Sequence, residues 1–217
     1  MNAWSNFQHT LAAQFNDNPL IRAVSVSSCS GSTGEPFVVS GAVSSQHNLA
    51  QAGWTPTLQE NCLSQALNDY SGWHNTQITF AFNSLYGLSS SQNDFMDQLM
   101  TKCALSCTDG RPDCALGNND LSTTITSDLY SAAIYQEIGQ LVKTYPKTSV
   151  YFYIAGGLYK NLAEDCQTMS LATAVGATSV ELWPTNGTSA NNGFSVIPTS
   201  SLKFCNQTLA NHAQINC

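Results

Sequence analysis

Five short apolar runs, each set between segments of helical periodicity, constrain this chain more than any other feature. The runs are Leu20–Ser28, Ile78–Phe82, Asp113–Leu116, Ser149–Ala155 and Thr178–Trp183. They are continuous rather than alternating in polarity, the pattern of strands covered on both faces. Trp4, Phe7, Leu11 and Phe15 recur at the spacing of an amphipathic helix over 3–16, whose apolar stripe is the side such a helix buries. Further helices are predicted over 58–70, where Thr57 and Glu60 form a capping-box pattern, and over 91–102, 127–143, 162–175 and 199–212. Strand–helix alternation repeated five times calls for parallel strands joined by right-handed crossovers. A single α/β domain over 1–217 follows, since no stretch reads as an interdomain linker.

Composition narrows the partners. Charged residues are only 10% of the chain, against roughly 25% in a typical soluble domain. Hydroxyl and amide side chains take their place. Seven basic residues and a net charge of −7 offer no patch for nucleic acid or for an anionic membrane surface. No apolar run approaches the roughly 20 residues of a membrane span. Nothing in the sequence calls for a cofactor. The glycine-rich Ser30–Gly34 leads into Glu35 and Pro36, a poor phosphate cradle, so a dinucleotide-binding fold is disfavoured.

The eight cysteines form an even set of 29, 62, 103, 107, 114, 166, 205 and 217. Zinc ribbons use two tight pairs, whereas only Cys103 and Cys107 are closely spaced here. Up to four disulfides are the favoured reading, and with them a secreted or extracellular setting. Two glycosylation sequons, at Asn186 and Asn206, fit that setting in a eukaryotic source. The segment Asn2–Gln8 has neither a basic region nor an apolar core, so it does not read as a signal peptide. The expectation is therefore a mature-form or truncated chain.

In parallel α/β enzymes of the barrel type the chemistry sits at the C-terminal ends of the strands. Sorting the fourteen acidic residues by that rule leaves Glu35 after the first run, Asp120 after the third and Glu181 at the end of the fifth. Asp113 stands at the start of a run, the wrong end. Cleaving a glycosidic bond needs two carboxyl groups, one protonated and one ionised. Around the three acids lie possible sugar-stacking rings, Trp54, Tyr86 and Trp183, and hydrogen-bonding groups, Asn83, Asn118, Asn119 and His47. Each has a structural competitor: Glu35 bonded to loop amides, Asp120 capping a turn, Glu181 paired inside an apolar strand, and the rings as rim packing. No metal-ligand motif and no serine elbow is present.

The run Asn18–Cys29 followed by Thr33-Gly-Glu-Pro36 resembles the fourth strand of retaining (β/α)8 glycoside hydrolases of the cellulase and β-galactosidase type. The segment Gly176–Pro184 is similar to a late strand of the same barrels. The resemblance implies a TIM-barrel fold, Glu35 as the acid/base and Glu181 as the second carboxylate, with Glu35 and Asp120 as the other pairing. Gly34 stands where that family carries Asn, and counting from a fourth strand makes Glu181 end the eighth rather than the seventh. The chain is thus expected to be the C-terminal portion of a barrel, about five units, lacking three upstream of Met1 or relying on a partner. The implied activity is hydrolysis of an extracellular oligo- or polysaccharide. The alternative is a non-catalytic carbohydrate-binding or cell-surface protein on the same scaffold, or a structural protein with no small ligand.

Overall fold

A computed structural model describes residues 3–29, 43–82, 90–107, 113–121, 129–154, 162–181, 200, 203 and 207. Within the elements, the side chains of 43–46, 90–93, 107, 120, 129–131, 154 and 162–166 are not among those described. The helices are α1 (Ala3–Phe15), α2 (Val43–Gln51), α3 (Pro56–Asp69), α4 (Ser90–Ala104), α5 (Leu129–Thr144) and α6 (Leu162–Val175). The strands are β1 (Ala23–Ser25), β2 (Gln77–Ala81), β3 (Cys114–Leu121), β4 (Val150–Ile154) and β5 (Ser179–Glu181). The strands are hydrogen-bonded in chain order, β1-β2-β3-β4-β5, and the registered pairs β1·β2, β3·β4 and β4·β5 are all parallel. The protein is α/β, as the alternation of runs requires. Among the described residues no helix is long and apolar enough to cross a membrane.

The chain divides into two compact units, 1–115 and 116–217. In the first, β2 is the central strand, and Ile78, Phe80 and Phe82 are at most 2% exposed. Phe80 and Phe82 touch along one side, with ring centroids 4.7 Å apart. Leu63 and Ala66 of α3, Tyr70 at its C-terminal cap, and Met96, Leu99, Met100 and Cys103 of α4 supply the rest of the apolar interior. α3 begins at Thr55, whose hydroxyl accepts from the Leu58 amide, with Pro56 in the first turn. The cap is thus Thr55 rather than the Thr57–Glu60 box, because proline at the first helical position needs no hydrogen-bond partner and its fixed φ starts the helix. α2 has no counterpart in the sequence reading, its periodicity being weak and its composition polar.

Two disulfides hold this unit, Cys29–Cys62 and Cys103–Cys114. The first ties the segment after β1 to the middle of α3, and the second ties α4 to the start of β3. Cys103 is bonded to Cys114 and not to Cys107, its nearest cysteine in sequence. Ser106 adds a polar link, donating to the Cys103 carbonyl and accepting from the Cys114 amide.

In α1 the periodicity misleads. Ser5, Gln8 and Ala12 are its buried residues, whereas Trp4, Phe7 and Phe15 are 38%, 50% and 38% exposed. The attachment is polar and close rather than oily. The Trp73 indole donates to Gln8 Oε1 at 3.2 Å, and Asn16 Oδ1 accepts from the amides of Asn75 and Thr76. Thr76 Oγ1 donates back to the Asn16 carbonyl at 2.7 Å. Gly72 packs so tightly on the helix that a Cβ there would lie 2.9 Å from Ala12 Cβ. Large side chains do not fit under such a turn, so the small and amide residues face it.

The second unit is built on β4. Ile134, Ile138 and Leu141 of α5 and Met169 and Ala172 of α6 join Leu116, Val150 and Phe152 in its interior. Tyr135 of α5 stacks on Phe152 with ring centroids 4.9 Å apart and planes 8° from parallel. α6 ends at Gly176, whose φ of +100° and amide bond to the Thr173 carbonyl close the last turn. The predicted helix over 199–212 lies almost entirely outside the described residues.

Candidate functional site

β3 runs further than its apolar portion suggests. It continues through Gly117, Asn118, Asn119 and Asp120 to Leu121, so Asp120 is inside a strand rather than in the turn after it. The reason lies in its neighbour. β4 pairs with Leu116, Gly117 and Asn118 through Val150, Tyr151 and Phe152, and the ladder resumes at Leu121 and Ile154. Asn119 and Asp120 therefore stand opposite the single residue Tyr153. This two-to-one count is a β-bulge, a device that re-aims side chains near the ends of strands.

The two faces of this end differ in character. On the helix side, the Tyr135 hydroxyl donates to Asn118 Oδ1 at 3.2 Å, and Asn118 is 2% exposed. Asn118 is thereby spent on packing rather than offered to a ligand. The other side carries Tyr151 and Tyr153, in edge-to-face contact with centroids 5.3 Å apart. Tyr153 is in register with Glu181 and Tyr151 with Ser179, so these four share a face. Alternation from Gly117 assigns Asn119 to that face as well. Its Oδ1 is buried and has no hydrogen-bond partner, one of two such side-chain atoms among the described residues, the other being Ser28 Oγ. An orphaned buried acceptor costs about 1–3 kcal/mol unless something satisfies it.

Glu181 is exposed at the end of β5, where its carboxylate keeps contact with water and avoids the penalty of an apolar strand interior. Asn119, Asp120, Tyr153 and Glu181 thus meet at one end of three adjacent strands. Tyr153 is the member that sequence reasoning passed over. Its signal was present in the alternation Tyr151-Phe152-Tyr153, which sets two phenols on the side opposite the buried Phe152.

Other predicted positions fall elsewhere. Glu35, Asn83, Tyr86 and Trp183 lie outside the described residues, as does the side chain of Asp120. His47 is exposed on α2. Trp54 is half-buried, with its indole donating to Gln59 Oε1 at 3.3 Å. Gln59 Nε2 in turn donates to the Cys29 carbonyl, so Trp54 braces the disulfide-bonded segment after β1. The end of β1 is held by Tyr70, whose hydroxyl meets both the amide and the hydroxyl of Ser27. A cavity in the first unit, lined by Leu67, Ser71, Ile78, Lys102 and the Cys103–Cys114 bridge, holds about 50 Å³. That is room for one or two water molecules, not for a sugar ring.

Comparison with known proteins finds no match: no family model fits the chain, and no curated protein or solved structure is similar to it.

Proposed function

We propose that this protein is a glycoside hydrolase whose two carboxyl groups are Asp120 and Glu181, acting on extracellular carbohydrate at the C-terminal ends of β3 to β5. The observation that carries the reading is the bulge at Asn119–Asp120 opposite Tyr153, itself in register with Glu181. In backbone register, Asp120 and Glu181 are on the two strands that flank the one bearing Tyr153. At about 4.8 Å per strand, the backbones that bear them are about 10 Å apart. A separation of that order suits inversion, where about 6.5–9.5 Å between carboxyls admits a water beside the sugar. One carboxylic acid gives its proton to the glycosidic oxygen as the bond to the anomeric carbon breaks. The other carboxylate takes a proton from the water that attacks from the opposite face. The Tyr153 phenol and the unpartnered Asn119 amide oxygen are suited to sugar hydroxyls.

The chemistry is tested by release of reducing ends from a panel of polysaccharides and aryl glycosides. Glu181→Gln is expected to lower turnover about 10²–10⁴-fold while sugar binding survives. A variant that hydrolyses as fast as the parent sinks the assignment. A second reading, carbohydrate binding without turnover, draws on the Tyr151–Tyr153 pair as an aromatic wall. It would be indicated by saturable glycan binding with no hydrolysis in the parent, weakened by Tyr153→Ala more than by Glu181→Gln.

A further inference from the structure

The peptide that follows β1 is held in a costly conformation by one covalent bond. Cys29 has a φ of +63°, the one non-glycine residue with positive φ among the described residues. A side chain there crowds the carbonyl that follows it, a strain that persists only where the surroundings impose it. The residue before it carries a second cost. Ser28 Oγ is buried with no hydrogen-bond partner, although a hydroxyl can rotate toward any group in reach. Two independent penalties therefore fall on adjacent residues, and the Cys29–Cys62 bridge ties the second of them to α3.

The helix imposes this conformation through three contacts. Cys62 supplies the disulfide, Gln59 Nε2 donates to the Cys29 carbonyl at 3.2 Å, and the Tyr70 hydroxyl at the C-terminal cap meets the amide and hydroxyl of Ser27. The hydrogen bonds can be exchanged for water at little net cost, but the disulfide cannot. The other bridge is built differently. Cys103 and Cys114 are at most 2% exposed, and neither has positive φ. The Cys103 carbonyl and the Cys114 amide are both satisfied by Ser106. Cys62, by contrast, is exposed. Strain and exposure are the two properties that make a disulfide open to exchange, and backbone strain of this kind is characteristic of switch regions.

We infer that Cys29–Cys62 is a redox switch, opened by a thiol reductant while Cys103–Cys114 stays closed and the unit stays folded. A thiolate of the reductant attacks Cys62 Sγ, and Cys29 leaves as a thiolate that takes up a proton. A second reductant thiolate attacks the reductant sulfur of the mixed disulfide, and Cys62 leaves as a thiolate that is protonated in turn. Two electrons and two protons pass to the protein, and the reductant departs as its disulfide. Opening lets Cys29 leave the left-handed region and frees Ser28 to turn its hydroxyl to water. The end of β1 is then held to α3 by hydrogen bonds alone. This switch does not depend on the catalytic roles proposed for Asp120 and Glu181.

Equilibrating the whole chain in mixtures of reduced and oxidised glutathione, then quenching with acid, alkylating and mapping peptides by mass, reads how far each bridge is open. The Cys29–Cys62 bridge is expected to open and close reversibly across mixtures that leave Cys103–Cys114 closed, with circular dichroism unchanged. Ser28→Ala removes the orphaned hydroxyl, and with it part of the relief that opening brings. Its equilibrium constant for reduction is expected to fall about 5- to 150-fold. In the parent, opening should also speed hydrogen exchange at the Ser27 amide, now bonded to Tyr70, by at least about fivefold. A parent bridge that opens only as the chain unfolds overturns the inference. So does a Ser28→Ala bridge that titrates like the parent's, or a Ser27 amide that exchanges at the same rate in both states.

Discussion

The ring of Tyr151 lies across Gly117 on the neighbouring strand, so that a Cβ on Gly117 would overlap its Cε1 and Cζ atoms. Glycine here is a requirement of packing, not of backbone conformation. Gly117→Ala is expected to destabilise the protein by about 1–3 kcal/mol, the usual cost of overfilling a packed site. In a Tyr151→Ala background the same change should cost nothing, since an alanine suits a strand better than glycine does. Urea denaturation of the four chains in a double-mutant cycle measures the coupling.

The rotated packing of α1 makes opposite predictions for adjacent residues. Phe7→Ser should change the stability of the protein by less than about 0.5 kcal/mol, as at an ordinary surface position. Gln8→Ala should cost about 1–3 kcal/mol, because it strips the buried Trp73 indole of its acceptor. Thermal melts at low micromolar concentration decide between this arrangement and one in which the stripe is buried, where the order would reverse.

The two disulfides should differ in reactivity. Cys62 is exposed, while Cys103 and Cys114 are at most 2% exposed. Brief treatment with dithiothreitol followed by alkylation and peptide mass mapping should label Cys29 and Cys62 first. Cys103 and Cys114 should resist until the chain unfolds. The Cys29–Cys62 bridge closes 33 residues, so replacing both by alanine should cost about 3–4 kcal/mol by the loop-entropy estimate.

Asp97 on α4 should give a small pH signature. Partial burial, and then the Asp94 carboxylate one turn away, hold its carboxyl above the ordinary value of 3.8. The folded state thus disfavours its ionised form, and stability falls as pH rises from about 3.8 through the raised value. Asp97→Asn removes that loss. It should leave stability unchanged at pH 3 and raise it at pH 7 by about 0.2–0.5 kcal/mol, less in high salt. Melts at the two pH values provide the check.

A change at Trp54 separates bracing from sugar contact. Trp54→Phe keeps a ring but loses the hydrogen bond to Gln59. It should lower stability by about 0.5–1.5 kcal/mol and leave glycan affinity unchanged, as read by calorimetric titration.

The order of strands and helices was legible in the sequence because it rests on local periodicity. Ile78–Phe82 and Ser149–Ala155 are short apolar runs rich in β-branched and aromatic residues, which read as buried strands, and 162–175 reads as a helix. The disulfide framework followed from the cysteine count, though not its pairing, which depends on which chain ends meet in space. The position of Glu181 at the end of the fifth run needed no coordinates, and β5 does end at that residue.

Three things waited for the tertiary structure. The extension of β3 through Asn119 and Asp120 is set by hydrogen bonds to β4, and a polar run of Gly, Asn, Asn and Asp carries no strand signal of its own. The bulge that counts two residues against Tyr153 exists only in the register between strands. The face of α1 that is buried was decided by Trp73, Asn75 and Thr76, some sixty residues away. Periodicity reports how apolar groups are spaced along a helix. Which side meets the protein is fixed by the groups waiting there, and here they were amides, a hydroxyl and a glycine with no room for a ring.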